Sequence, residues 1–268
     1  MPADKVLVEQ RGAVTVLTLN RPEVHNCVDA ETADAISSAI EAFAGDDHAR
    51  ALVVTGAGEG AFCAGADLGD IEGLMLRQRA ERTGPLGFSG LEPGKPRIAA
   101  VEGHCIGGGI ELACWCDLRI AGQGASFGAF NRRVGVPWVD GGTQRITRII
   151  GQGNALYLIE TGERIDARRA YEMGLVQEVV PHGAALDRAL VLAERIAAYP
   201  QKSLLADRGA VLGTWGRSLE DGLAVEAEGG RAAARDPEMV DGVRGFFERD
   251  EETRRTEGGT AGGGTLHP

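Results

Sequence analysis

Short runs of alternating and wholly apolar residues mark out the first part of the chain. Residues 5–19 hold two β-branched runs separated by an Arg-Gly turn, a pattern that predicts a β-hairpin. The run at 51–55 is short and apolar, as in strands that are covered on both faces. Further buried strands are predicted at 97–101 and 117–121. Because helical patterns separate these strands, we expect an α/β fold with a largely parallel sheet.

Helical spacing and glycine runs fill the gaps between the first predicted strands. Asp29 stands where it can cap a helix that runs to about Phe43 and carries one apolar face. A glycine-rich loop is predicted for 56–65, and a helix is expected to begin near Asp67.

Proline and glycine mark the later boundaries. Residues 84–96 contain three prolines and are predicted to form a loop. The glycines at 107–109 are expected to open a helix that continues through Cys116. From 143 to 213 the pattern is mostly helical, with one strand predicted at 175–180.

These patterns divide the chain into three predicted parts. Residues 1–183 are expected to form the core domain, and residues 184–249 a C-terminal helical region. Residues 250–268 are charged and then glycine-rich, and they hold too little apolar surface to order themselves. We therefore expect them to form a disordered tail.

Composition excludes several classes of protein. The 268 residues include 28 basic and 39 acidic side chains, for a net charge of −11, which argues against a nucleic-acid binder. The 40 glycines have no three-residue period, so the chain is not collagen-like. The glycine content is nevertheless about twice the usual 7% and calls for a local explanation.

The chain is expected to act in the cytoplasm without a metal or a membrane. Its first residues carry charges where a secretory signal needs apolar ones, and polar residues interrupt the most apolar region, 98–121. The five cysteines form no C-x-x-C motif and the five histidines are scattered, so we expect reduced thiols and no metal site.

Two glycine motifs suggest other activities on formal grounds. The run 56–61 follows a buried strand, but no helix is predicted at its third glycine, as a dinucleotide-binding fingerprint requires. The run 124–128 matches the G-x-S-x-G nucleophile elbow, with Asp166 and His182 later in the right order. No helical stripe follows that run, so a plain turn is favoured.

A third set of segments carries a family resemblance. In order and spacing they look like the enoyl-CoA hydratase/isomerase (crotonase) superfamily over about residues 5–250. The segments are Thr18-Leu19-Asn20-Arg21-Pro22-Glu23 with Asn26, Ala61 to Leu68, Val101 to Leu112 with Cys116-Asp117, Gly135-Val136-Pro137, and Gly141 to Arg145. The resemblance implies a ββα spiral core, assembled as a homotrimer or a hexamer.

The resemblance also implies an oxyanion hole. Members of the superfamily stabilise a thioester enolate with two backbone N–H groups, which by position are those of Ala66 and Gly108. Glycines at 65 and 107–109 leave room for a backbone to close on a thioester oxygen. Gly108 also stands at a predicted helix N-terminus, which favours negative charge.

The catalytic carboxyls both match and depart from the family pattern. Glu111 matches the first catalytic glutamate, and its apolar neighbours are expected to raise its pKa. Asn131 stands where typical hydratases carry their second glutamate, and an amide cannot act as a general base. Asp140 matches an aspartate of dienoyl-CoA isomerase-like members, and with Glu111 it makes a candidate acid–base pair.

The expected substrate is an acyl-CoA thioester, with CoA as part of the substrate and no separate cofactor. The favoured reaction is reversible hydration of a 2-enoyl-CoA. The alternatives are an isomerase that shifts a double bond and a member that binds acyl-CoA without turning it over. Residues implied in substrate or CoA binding are Val24, His25, Asn26, Ala64, Gly65, Asp67, Leu68 and Asn131. Val24 stands where many members have a basic residue.

Overall fold

The computed structural model describes residues 4–80 and 83–257, in two compact units that divide after Ala198. Its strands are β1 Val6–Arg11, β2 Val14–Leu19, β3 Ala51–Gly56, β4 Ala61–Cys63, β5 Arg97–Val101, β6 His104–Ile106, β7 Leu118–Gly122, β8 Ser126–Gly128, β9 Ile165–Asp166 and β10 Glu178–Val180. Its helices are α1 Ala30–Gly45, α2 Ile71–Ala80, α3 Gly108–Trp115, α4 Gly142–Thr161, α5 Ala167–Glu172, α6 Ala185–Ala198, α7 Gln201–Leu212, α8 Leu219–Ala233 and α9 Pro237–Glu257.

The larger sheet contains six strands in the order β1-β2-β3-β5-β7-β10. β1 and β2 form the predicted hairpin, with Val6 opposite Leu19 and Arg11 opposite Val14. The remaining neighbours are all parallel. The predicted hairpin and the predicted parallel sheet are therefore both confirmed.

The smaller sheet has the order β4-β6-β8-β9 and was not predicted. The expected loop at 56–65 was wrong in its middle, because Ala61–Cys63 forms β4 and pairs in parallel with β6. A strand of three residues is too short to show alternation in sequence. The pairing has a functional consequence, since it sets the loop after β4 beside the start of α3.

Helices cover both faces of the larger sheet. The side chain of Asp29 accepts a hydrogen bond of 2.8 Å from Thr32 N and caps α1, as predicted. The apolar face of α1 joins one core cluster, and the alanines of α6 join another with Val14 and Val53. Burial from two sides explains why the parallel strands are apolar at successive positions.

The C-terminal boundaries differ from those expected. α6 packs on the sheet within the first unit, although the sequence grouped it with the helices that follow. β10 is limited to Glu178–Val180 of the strand expected at 175–180. α9 continues to Glu257, where a tail from 250 was expected, because Glu and Arg are strong helix formers. Residues 258–268 of that tail lie outside the described residues.

The two formal glycine motifs have structural roles. β3 ends at Gly56 and β4 begins at Ala61, so no helix follows the third glycine of the dinucleotide-like run. Ser126 begins β8 rather than an elbow, and its hydroxyl pairs with His104 Nδ1 at 2.9 Å. Across residues 4–80 and 83–257 no helix is both long and apolar enough to cross a membrane.

Candidate active site

The loops that follow β4 and β6 meet beside the smaller sheet, where Gly65 lies against Gly108. Gly65 follows β4 with a φ of +90°, a conformation that favours glycine. A Cβ on Gly65 would lie 2.6 Å from Gly108 N, and a Cβ on Gly109 would lie 2.0 Å from Cys63 O. Only residues without side chains allow the backbone segments after β4 and β6 to approach this closely.

The approach places two unused amides side by side. Gly108 is the first residue of α3, so its N–H has no partner within the helix. A Cβ on Gly108 would lie 3.6 Å from Ala66 N. Neither N–H takes part in a hydrogen bond within the described part of the chain. The pair is therefore available to a single anionic oxygen, helped by the positive end of α3.

Glu111 lies one helical turn into α3 and is 2% exposed. Its Oε1 accepts hydrogen bonds of 2.9 Å from Asp140 N and Gly142 N. Burial, and then the charge of Asp140, raises the pKa of Glu111 to about 8, although the two N–H donors oppose the shift. The structure thus confirms the pKa direction expected from the apolar neighbours, and Glu111 carries a proton at neutral pH.

Asp140 precedes α4 and is 1% exposed. Its Oδ1 accepts a hydrogen bond from Leu86 N at 3.3 Å, while its Oδ2 has no partner among the described residues. Burial raises the pKa of Asp140 to about 6, against the opposing effect of the Leu86 N–H. Asp140 is therefore ionised at neutral pH while Glu111 is not.

Arg145 fixes the loop that carries Asp140. Its Nη1 donates to Asp140 O at 2.8 Å, and its Nη2 donates to Ser89 O at 2.7 Å. The guanidinium lies close enough to lower the pKa of both carboxyls. Arg145 thus joins α4 to the 84–96 loop and places a positive charge near both carboxyls.

A cavity of about 490 Å³ brings most of these groups together. Glu111, Asp140, Ala66 and Gly108 all line it, as do Ala64, Leu68 and Asn131. The remaining wall is almost entirely apolar and is formed by Ile71, Leu74, Met75, Pro85, Leu86, Ile106, Phe130, Val134, Val136, Pro137, Trp138 and Val139. Such a space suits an acyl chain with its reactive end at the amides and carboxyls.

Asn131 supplies an acceptor to this wall. Its Nδ2 donates to Val136 O at 2.7 Å, which fixes the orientation of the amide. Its Oδ1 is buried, with no hydrogen-bond partner in the described structure. The side chain lies close to Gly107, with Asn131 Cβ 3.8 Å from the position of a Cβ there. Asn131 therefore presents to the cavity an amide, which has no group that can take a proton.

Other residues expected to contact CoA do not line the cavity. Asn26 is 1% exposed, and its amide bonds to Arg21 N, Ala57 O and Ala61 O, so it holds the loop rather than a ligand. Asp67 pairs with Arg21 at 2.9 Å.

Val24 and His25 lie at the surface, where His25 O accepts a hydrogen bond from Ala64 N at 3.0 Å. Gly65 acts through its lack of a side chain. These residues therefore lie outside the cavity lining.

Comparison with known proteins identifies the family. The family described as Enoyl-CoA hydratase/isomerase matches residues 9–254. The chain belongs to this family.

Relatives in the enoyl-CoA hydratase/isomerase family span nearly the whole chain. A probable mitochondrial enoyl-CoA hydratase of Dictyostelium discoideum is 35% identical over 91% of this chain and 88% of its own length. A short-chain-enoyl-CoA hydratase of Clostridium acetobutylicum is 33% identical over 96% of this chain and 98% of its own length.

Solved structures of the family show the same fold. The enoyl-CoA hydratase of Mycobacterium tuberculosis H37Rv superimposes with a TM-score of 0.85 at 34% identity, over 91% of this chain and 96% of that one. The fold is therefore the crotonase fold, as the resemblance implied, with a helical C-terminal region.

Sequence reasoning missed two parts of the enoyl-CoA hydratase/isomerase site. Residues 70–96 match no usable motif, yet Ile71, Leu74 and Leu86 form much of the apolar wall. Arg145 was noted only as part of a motif, and its bonds to two carbonyls depend on chain segments far apart in sequence.

Proposed function

We propose that this protein is an enoyl-CoA hydratase that adds water reversibly to a 2-enoyl-CoA. The observation that carries the proposal is the convergence, in one apolar cavity, of two N–H groups free of hydrogen bonds among the described residues and two buried carboxyls, Glu111 and Asp140. The enoyl-CoA hydratase names of relatives at 33–35% identity support the same reaction.

The oxyanion step follows from the amides. The thioester oxygen accepts hydrogen bonds from the N–H groups of Ala66 and Gly108. As water adds to Cβ, the electrons of the double bond move onto that oxygen to form an enolate. The two fixed donors stabilise this charge more than the neutral thioester, which lowers the barrier.

The proton steps follow from the carboxyls. Ionised Asp140 takes a proton from water as its oxygen attacks Cβ, and protonated Glu111 gives its proton to Cα. Oε1 of Glu111 is held by Asp140 N and Gly142 N, so Oε2 is the oxygen left to carry the proton. Afterwards Asp140 is protonated and Glu111 ionised, and one proton transfer between them restores the starting state.

A mass measurement separates this proposal from its rivals. The protein is incubated with a panel of 2-enoyl-, 3-enoyl- and dienoyl-CoA thioesters, and the products are separated by chromatography and identified by mass and fragmentation. A hydratase yields a product heavier by one water. A product of unchanged mass with a shifted double bond indicates an isomerase, and thermal stabilisation without any product indicates a binding protein.

The remaining expectations extend the proposal. The addition of water is redox-neutral, so the only CoA needed is that of the substrate, and no separate cofactor is proposed. No cluster of metal-binding side chains occurs within residues 4–80 and 83–257. A homotrimer or hexamer and a cytoplasmic location stay predictions.

A further inference from the structure

Two arginines are fixed against the same aromatic ring at the cavity wall. The guanidinium carbon of Arg133 lies 3.9 Å from the centroid of Phe130, and that of Arg164 lies 5.6 Å from it. Arg133 Nη2 also donates to Gly162 O at 2.9 Å. Phe130 itself lines the acyl cavity, so both cations stand beside the space that holds the substrate.

Two imidazoles lie beside these arginines. His104 Nδ1 pairs with Ser126 Oγ, and its ring centroid lies 6.0 Å from that of His25. Burial lowers the pKa of His104, and the charges of Arg164 and His25 lower it further. The lowered pKa shows that His104 lies within reach of the positive charge of Arg164. We call Arg133 and Arg164 the cationic patch.

Acidic side chains in the described part of the chain leave both arginines without an ion pair. Within the described residues neither Arg133 nor Arg164 forms an ion pair, whereas nearby Arg168 pairs with Glu172 at 3.1 Å. Asp166 is close to Arg164 in sequence, but its Oδ1 caps α5 through Arg169 N. In a chain of net charge −11, uncompensated cations beside a cavity indicate an anionic ligand.

We propose that the cationic patch binds the phosphate groups of the substrate's CoA nucleotide. The inference rests on the proposed function, which places the thioester at Ala66 and Gly108 and leaves the nucleotide outside the cavity. Arginine binds phosphate through paired hydrogen bonds, and here both guanidiniums are already oriented by Phe130. Val24 is exposed at a position where many family members have a basic residue, and it supplies no positive charge to the phosphates. The patch supplies that charge instead.

The test compares two thioesters that differ only in the nucleotide. Crotonyl-CoA carries the phosphates and crotonyl-pantetheine does not. The wild-type preference is the ratio of kcat/KM for crotonyl-CoA to kcat/KM for crotonyl-pantetheine. We expect this ratio to fall by about 10–100-fold in the double variant Arg133→Gln/Arg164→Gln. Each factor of ten corresponds to roughly 1.4 kcal/mol of lost phosphate binding. The charge-retaining Arg133→Lys/Arg164→Lys variant should recover part of that preference.

A matched control and a binding measurement complete the test. Arg168→Gln removes a nearby exposed arginine outside the patch, and it should leave the preference unchanged. Calorimetry with 3′,5′-ADP measures nucleotide binding without any turnover, and the affinity should fall in the Gln double variant. An unchanged preference and unchanged 3′,5′-ADP affinity would overturn the proposal.

The two proposals fail in different ways. If the wild type hydrates neither thioester but binds 3′,5′-ADP through the arginines, the patch stands and the hydratase assignment falls. If hydration proceeds and the Gln double variant loses activity equally on both thioesters, the arginines are structural and the patch is refuted.

Discussion

At the scale of single residues, the site depends on two carboxyls, Glu111 and Asp140. Burial raises the pKa of both, but to different values. Glu111 receives two N–H bonds and still has a pKa of about 8, because burial and the neighbouring charge outweigh the donors. Asp140 has a pKa of about 6, because burial outweighs the hydrogen bond from Leu86 N and the charge of Arg145. Between these values the pair holds one proton, which is the state that an acid and a base working together require.

Replacing Glu111 tests its assignment as the acid. Glu111→Gln keeps an oxygen to accept the bonds from Asp140 N and Gly142 N, but it has no proton to give Cα. We expect kcat for crotonyl-CoA to fall by about 10²–10⁴-fold, the usual contribution of general acid–base catalysis, with binding retained. Glu172→Gln, an exposed change on α5, is the control. An unaffected rate would remove Glu111 from the mechanism.

The pH dependence of kcat/KM reports both carboxyls. Activity should rise as Asp140 ionises near pH 6 and fall as Glu111 loses its proton near pH 8, which gives a bell-shaped profile. Asp140→Asn should remove the acidic limb along with most of the activity. A profile that lacks both the acidic and the basic limb would contradict this acid–base pair.

Much of the residue-scale site could be predicted, because glycine at 65 and 107–109 is what a close approach of two backbone segments requires. The role of Asp140 could only be suggested, since its burial depends on the 84–96 loop closing over it. Asn26 was predicted to contact CoA for the wrong reason. It stands in a motif, yet its amide serves the backbone of a loop formed by residues more than thirty positions away.

At the scale of elements, a feature that sequence patterns could not predict is a helix cap supplied by the residue that follows a strand. Glu102 directly follows β5, and its Oε1 accepts a hydrogen bond of 3.0 Å from Ala185 N at the start of α6. No pattern near residue 185 reveals this contact, because the two residues are 83 positions apart. β4 escaped prediction for a related reason, as its three residues become a strand only through pairing with β6.

Removal of that cap should destabilise the first unit. Glu102→Ala leaves Ala185 N without an acceptor in a buried position, which costs about 1–3 kcal/mol of unfolding free energy. Urea unfolding followed by circular dichroism measures the loss. Glu59→Ala, which removes an exposed partner of His182, is the matched control and should change stability much less. Equal stability of the Glu102 variant would show that water satisfies the helix end.

At the scale of the whole molecule, the second unit carries several large apolar side chains at its surface. Leu219 is 80% exposed, and Phe246 and Phe247 are 61% and 60% exposed. Surfaces of this kind are typically covered in an assembly. The predicted homotrimer or hexamer would provide that cover.

Light scattering after size-exclusion chromatography tests the assembly. We expect a mass of three or six times 28.1 kDa, and a smaller mass for Phe246→Glu, which places a charge in the apolar surface. Asp241→Asn on the same helix should retain the assembly. A wild-type monomer at micromolar concentration would contradict the expectation.

The paired amides of Ala66 and Gly108 have one further consequence, because their donors belong to the main chain. No codon change can delete either N–H except one to proline, so ordinary substitution can displace this part of the site but hardly ever erase it. Evolutionary change in such a scaffold is therefore concentrated in the side chains that surround these two fixed hydrogen-bond donors. Removing a donor cleanly requires backbone chemistry, in which semisynthesis replaces one amide with an ester.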